Sequence, residues 1–434
     1  MIMTWVAAAA ASSSASASTS LITSLKFSSK SQRCSRSSCP GFHVLCRSGS
    51  FSASSSNSIG SHLKFSLHDA LDSSGIQTSH AREAREGFCS QIEKLSDIER
   101  ETSISINRYV DLGKTALYIA AEDDSLVSHS SVPLPVDAFI DRLDDLSMCF
   151  CSHYSSSFRW SPENFFNSLE SYLYDKKGFR RSSVDYQLEP RALYLHSVLT
   201  HRSGSTAMLS LIYSEILKML RLWGLLDFDV EIFVPHDLQS LPRGYHKHKS
   251  KESDRAHIMT SQALLVEMLR NLKDAFWPFQ HDNTASLFLR AARAANCVAR
   301  PNLNENSGFQ IASAKAAQHR LERGVWTSVC FGDMRRALAA CERLILLQTD
   351  AKELRDYSIL LYHCGFFERS MEYLKLHQES ESSSPQKPSL DSMSRLEEDA
   401  TEKLKVRLNL IAMEEGWSRP SFSRNFLGNS SEPW

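Results

Sequence analysis

No acidic residue precedes Asp69. The 68 positions before it hold Ser, Ala, other apolar or neutral polar residues, His, and six bases: Lys26, Lys30, Arg33, Arg36, Arg47 and Lys64. An acid-poor, Ser-rich, sparsely basic leader is the composition of an organelle transit peptide. Residues 1–65 are read as that tag, disordered and lost on import. Abundant Ser and the lack of an Arg-rich amphipathic start favour the chloroplast, with the stroma as the compartment and the mitochondrion as runner-up. A secretory signal over Trp5–Ala11 is the rival reading; the Ser/Ala/Arg-rich region continues far beyond such a signal.

Other absences narrow the function. No apolar run approaches the roughly 20 residues of a membrane span. Six of the 49 Lys/Arg but none of the 50 Asp/Glu precede Asp69, so the remainder carries a net charge of about −7 with His neutral. That sign excludes sequence-independent binding of nucleic acid, which needs a basic field. Ten cysteines are present, but Cys34, Cys39 and Cys46 leave with the tag, and the others form no C-x-x-C pair. Cys149 and Cys151 flank Phe150 on a predicted helix, where i,i+2 side chains diverge, so buried or free thiols are expected and not a redox pair.

What is there is mostly helical spacing, in a length that suggests two domains. Residues 66–105 read as a linker and an N-terminal helix, with Phe88, Ile92 and Leu95 on one stripe; helical spacing extends over 81–124 through Ile106, Val110 and Leu117. Val136, Phe139, Ile140, Leu143 and Leu146 mark an amphipathic helix. Ser161-Pro162-Glu163 is a start signal and Lys176-Lys177-Gly178 its stop. A further helix runs from Pro190 to about His201. Gly204 separates it from one over Thr206–Leu222, apolar over a wide arc and therefore central. After Gly224 the period changes: Phe228, Val230, Ile232 and Val234 alternate with mostly polar residues, as in a half-buried strand. The polar stretch 235–254 reads as an exposed, irregular insertion, and 257–300 as helix interrupted at Trp277-Pro278.

A repeat follows. Gly332-Asp333-Met334-Arg335-Arg336-Ala337 recurs as Gly365-Phe366-Phe367-Glu368-Arg369-Ser370, an offset of 33 residues against about 34 in tetratricopeptide repeats. The glycine suits a tight turn and the small residue five places on lets two helices approach. Residues 308–378 are read as two such repeats, too few to bury a core alone. They should lean on the preceding domain or on a C-terminal helix at 391–416 striped by Leu396, Ala400, Leu404, Leu408 and Ile411. A Ser/Pro-rich linker at 379–390 joins them, and a tail occupies 417–434.

Pro190–Leu222, with Val198-Leu199-x-x-Arg202-x-Gly204 followed by Leu209-Ser210-Leu211-Ile212-Tyr213, resembles the SirB-type transglutaminase-like family, in which a transglutaminase-like core precedes tetratricopeptide repeats. The resemblance covers most of 106–378. It implies an α+β, predominantly helical fold: a transglutaminase-like domain at 106–300 with a small antiparallel sheet, then the helical-repeat module. It also implies a Cys nucleophile two residues after a Gly, at the head of the central helix, with His and Asp from neighbouring strands. Here Ser205 and Thr206 follow Gly204. A hydroxyl has no comparable acidity and needs an adjacent base. The family's His maps to His236, where Pro235 replaces the usual Gly.

The site is therefore read as degenerate, with Ser205, Thr206 and His236 as its remnants and no catalytic set, cofactor or metal. His246-x-His248, near His236 and His257, has the residue types of a zinc site but reads as a solvated loop. Arg202-Ser203-Gly204-Ser205 is not a serine-hydrolase elbow. The expectation is a non-enzymatic interaction platform, binding a protein partner through the repeats, with Arg336 and Arg369 on the binding face. The alternatives are a hydrolase or amide-transferring enzyme using Thr206 or water with His236, and a regulator that binds a small molecule.

Overall fold

The helical periods of the sequence become fourteen described helices. The computed structural model describes residues 64–128, 132–154, 161–182, 190–234, 240–249, 255, 257–279, 285–298, 332–383 and 392–418. Residues 1–63, His236, Cys330 and the first part of the expected repeat module lie outside them, whereas Lys64 and Phe65, expected to be disordered, are described and contact Tyr373 and Tyr357. In chain order come α1 (Leu67–Ser73), α2 (Ser79–Ile92), α3 (Asp97–Glu101), α4 (Leu112–Ser128), α5 (Val136–Tyr154) and α6 (Pro162–Glu170). A π-helical turn at Ser171–Lys176 continues α6 and leads to β1 (Arg180–Arg181). Then follow α7 (Leu195–His201), β2 (Ser203–Gly204), α8 (Thr206–Leu222), β3 (Val230–Phe233), β4 (Arg243–His246), α9 (Ser261–Phe276) and α10 (Leu287–Ala294). The C-terminal helices are α11 (Met334–Leu346), α12 (Ala351–His363), α13 (Phe367–Ser383) and α14 (Ser392–Ser418). The fold is α+β and predominantly helical, and among the described residues the sheet consists of a parallel pair β1–β2 and an antiparallel pair β3–β4. No described helix is long and apolar enough to cross a membrane.

Several readings need correction. The helical spacing of 81–124 is broken into α2, α3 and α4: Ser96 caps a new helix at α3, and between α3 and α4 Asn107 Oδ1 accepts the backbone N–H groups of Tyr109 and Val110 (3.1 Å each) and turns the chain. Asp111 Oδ1 then caps α4 through Lys114 N–H (3.0 Å). The segment 235–254 is not irregular throughout: it carries β4, which pairs with β3. The expected linker from 379 is helical to Ser383. The strand is shorter than its alternation suggests, and Glu231 is buried with Val230 and Ile232. It is flanked on both sides, by β4 and by a backbone bond from Met259 N–H to Ile232 O (3.0 Å).

Two hydrophobic clusters form the interior. The first surrounds α8, with Leu209, Ile212, Ile216 and Leu220 in a cluster where α8 packs against α4, α5 and α9. The second gathers Phe288, Tyr357, Leu374, Leu404 and Leu408 from α10 and α12–α14 with Leu67 and Leu71 of α1. α11 belongs to both, giving Ala340 and Leu344 to one and Met334, Ala337 and Leu338 to the other. At Gly332, where α11 begins, φ is +71° and an added Cβ would lie 2.3 Å from Pro278 Cα and 2.5 Å from Trp277 O. Only glycine suits both the backbone angle and the approach. Gly365 has the matching φ of +83°, and Ala337 and Ser370 are both fully buried.

Charges are buried where the two clusters meet. Arg343 lies 2.6 Å from Asp123 and 3.0 Å from Glu122, and Arg85 lies 2.6 Å from Glu122 and 2.9 Å from Glu342. Burial alone would raise Glu122, but Arg343 and Arg85 overcome it and hold the carboxyl well below its ordinary value. Tyr194 donates to Asp123 (2.7 Å) and Tyr357 to Glu342 (2.7 Å).

Candidate functional site

The head of α8 is built by short local devices. Arg202 ends α7 in the left-handed conformation, φ 58°. The next two residues form β2, with Ser203 opposite Arg180 and Gly204 opposite Arg181. A Cβ on Gly204 would approach the Val198 side chain to 2.8 Å, so a larger residue there would push α7 off the strand. Ser205 is extended, donates its N–H to Ala192 O (3.0 Å), and accepts Met208 N–H on its Oγ (3.3 Å). It is the N-cap of α8. Thr206 is the first helical residue, and the pair are 9% and 6% exposed.

From Gly224 the chain returns through β3, whose end continues by Val234 N–H to His257 O (2.8 Å). Arg181 Nη1 donates to Ser240 O (3.1 Å), bringing the chain that follows β3 back to the β1–β2 pair. Ser205 and Thr206 are thus adjacent on one helix head beside Arg181, while His236 falls outside the described residues. Their hydroxyls sit where positive helix-end potential would favour a thiolate, but a hydroxyl gains no nucleophilicity from that alone.

The described thiols are elsewhere. Cys89 lies on α2, Cys149 and Cys151 on α5, Cys297 after α10, Cys341 on α11 and Cys364 after α12. Burial pushes Cys89, Cys151, Cys297 and Cys341 upward, opposite to what an attacking thiolate requires.

The two arginines expected on a binding face differ. Arg369 on α13 is 37% exposed at its side chain and pairs with Glu372 at 2.9 Å. Arg336 instead lies over the rings of Phe276 (4.6 Å) and Tyr194 (5.8 Å), packed where α11 meets α9.

A cleft missed by the sequence reading opens between α6 and the β3–β4 pair, with a volume of about 900 Å³. Glu163, Phe166, Asn167 and Glu170 line one wall; Phe233, Arg243, Tyr245, His246 and His248 line the other. The sequence marked the start of α6, but the opposing wall required β4. Burial raises the Glu170 carboxyl despite Arg243 nearby. His246 stacks on Phe228 (5.5 Å) and on His248 (5.3 Å), and its Nδ1 accepts the His248 backbone N–H (3.2 Å). That ring nitrogen is directed to the backbone, and no group of three or more His, Cys, Asp or Glu with metal-holding geometry occurs among the described residues.

Comparison with curated proteins and with solved structures gives no match. Residues 137–223, from the first turn of α5 to just past α8, match the transglutaminase-like superfamily. The matched span ends with the helix headed by Ser205 and Thr206, and the chain therefore carries a transglutaminase-like superfamily domain at these positions.

Proposed function

We propose that this chain is a non-enzymatic protein-interaction platform of the plastid stroma, in which a transglutaminase-like domain that has lost its nucleophile is joined to tetratricopeptide-like helices, in the SirB-type order. One observation carries the reading. At the head of α8 the Ser205 hydroxyl is engaged in capping Met208 N–H, and Thr206, the first helical residue, stands two positions after Gly204, where the resemblance expects the nucleophile. The matched glycine turns at Gly332 and Gly365 support the repeat reading, and the acid-free leader supports the address.

The test has two arms. Purified protein is assayed on amide, ester and thioester substrates, and tagged protein is recovered from isolated plastids. The platform reading expects no turnover that depends on Thr206 and a partner whose capture weakens on Arg369→Glu. Activity abolished by Thr206→Ala and His236→Ala would make the chain an enzyme. Arg336→Glu is an unsuitable probe, because that residue is packed on Phe276 and Tyr194.

The cleft beside α6 favours a second reading, a regulator that binds a small molecule without changing it. Its volume of about 900 Å³ falls within the range of ligand pockets. A thermal-shift screen in which hits are lost on Arg243→Ala would support it.

A further inference from the structure

The segment Lys64–Leu71 is held by three successive helices, each supplying one polar atom to its main chain. Glu342 Oε1 of α11 accepts Leu67 N–H (3.3 Å), Tyr357 Oη of α12 accepts Ser66 N–H (3.3 Å), and Tyr373 Oη of α13 donates to Lys64 O (3.2 Å). Phe65 meets Tyr357 edge to face at 6.3 Å, beneath the Arg85 guanidinium at 5.9 Å. Leu67 and Leu71 are each 1% exposed. Two buried leucines one helical turn apart are how a groove takes a short amphipathic helix, and the contacts at Ser66 and Leu67 satisfy N–H groups left free at that helix's start.

On release of this occupant Tyr373 would lose Lys64 O and the buried Glu122 would lose His68 Nε2 (3.1 Å), but Glu122 would keep Arg85 and Arg343. Glu342 keeps Arg85 at 2.9 Å and Tyr357 keeps Glu342 at 2.7 Å. The segment is joined to α2 through a short exposed turn whose Gly75 has φ +81° and no heavy atom within 4 Å of an added Cβ. Its ion pairs to α2, Arg82 with Asp69 and Asp72, are largely solvent-exposed and hold weakly.

We propose that Lys64–Leu71 is an exchangeable cis ligand of a peptide-binding surface on α11–α13, which requires the imported chain to begin before Lys64 and not after residue 65. The partner it stands in for is an amphipathic helical segment with an aromatic residue two positions before a leucine and a second leucine four positions after that. This rests on the platform reading and assigns its partner chemistry and its regulation: the protein's own segment must yield before a partner binds.

The experiment uses the full chain with a protease recognition sequence placed in the turn between Ser74 and Gln77. After cleavage, a fluorescent peptide of residues 64–73 is titrated into cut and uncut protein, with circular dichroism recorded in parallel. Cut protein should stay folded and bind the peptide about tenfold or more tighter than uncut protein, whose surface is already filled. A Leu67→Asp, Leu71→Asp peptide should lose that binding. Unfolding on cleavage, no exchange, or equal binding by both forms would show that the segment is simply part of the core. If the peptide exchanges but plastids yield no partner, the platform reading fails and the cis contact stands.

Discussion

Arg343 and Glu122 are 221 positions apart in the chain and 3.0 Å apart in the fold, each with 0% of its side chain exposed. The pair ties α11 to α4 and shares its charge with Asp123 and Arg85. Removing one member of such a group leaves a buried charge uncompensated, which costs about 3–5 kcal/mol. Arg343→Met should lower stability by that amount, read as a reduced urea midpoint. Arg343→Lys should cost less, yet still measurably, because an ammonium cannot fork between two carboxylates.

Glu122 also sets an acid limit. Its folded value is depressed by Arg343 and Arg85 against burial, so the stability it supplies is complete above the ordinary carboxylate pKa, about 4.3. It is lost as pH falls below that value. His363 acts over a higher window. Burial lowers its pKa from 6.5 to about 4, with one ring nitrogen 2.9 Å from Ala291 O. The unfolded chain takes up this proton first, so the contribution is full above pH 6.5, declines towards pH 4 and is constant below. His363→Gln should flatten that part of the stability profile by up to about 3 kcal/mol.

Glycines at positive φ separate backbone strain from collision. Gly75→Ala meets open space at φ +81°, so only the left-handed penalty of about 1 kcal/mol applies. Gly332→Ala meets Pro278 Cα at 2.3 Å as well. Thermal unfolding of the two variants should place Gly332→Ala lower by several degrees, and equal midpoints would contradict the close approach.

At the head of α8, structure and chemistry are separable by substitution. Ser205→Ala removes the cap on Met208 N–H and should cost about 1 kcal/mol. Under the platform reading it leaves partner capture intact, as does Thr206→Ala. If either variant changed capture or any turnover while the melting temperature held, the hydroxyls would have a role beyond the helix end.

The sequence revealed the helices because their signals are local. Ser161-Pro162 at the start of α6, the arc of Leu209, Ile212 and Ile216 on α8, and the change of period after Gly224 each depend on a few neighbours. It did not reveal β4, whose Arg243-Gly244-Tyr245-His246 has no alternation and is a strand only because β3 pairs with it. The cleft beside α6 was hidden for the same reason. The buried charges were illegible too: Glu122, Asp123 and Arg343 read as ordinary solvated residues until α4 and α11 are brought together. Arg336 shows the converse error, a base given to solvent that its aromatic neighbours claim. That Ser205 and Thr206 carry hydroxyls and not thiols needed no structure at all.

α11 places one set of side chains in each hydrophobic cluster. The two halves therefore cannot be pulled apart and grown separately: each, isolated, would lack a wall. Melting should occur in a single step, and anything that grips one end will raise the temperature at which the other gives way.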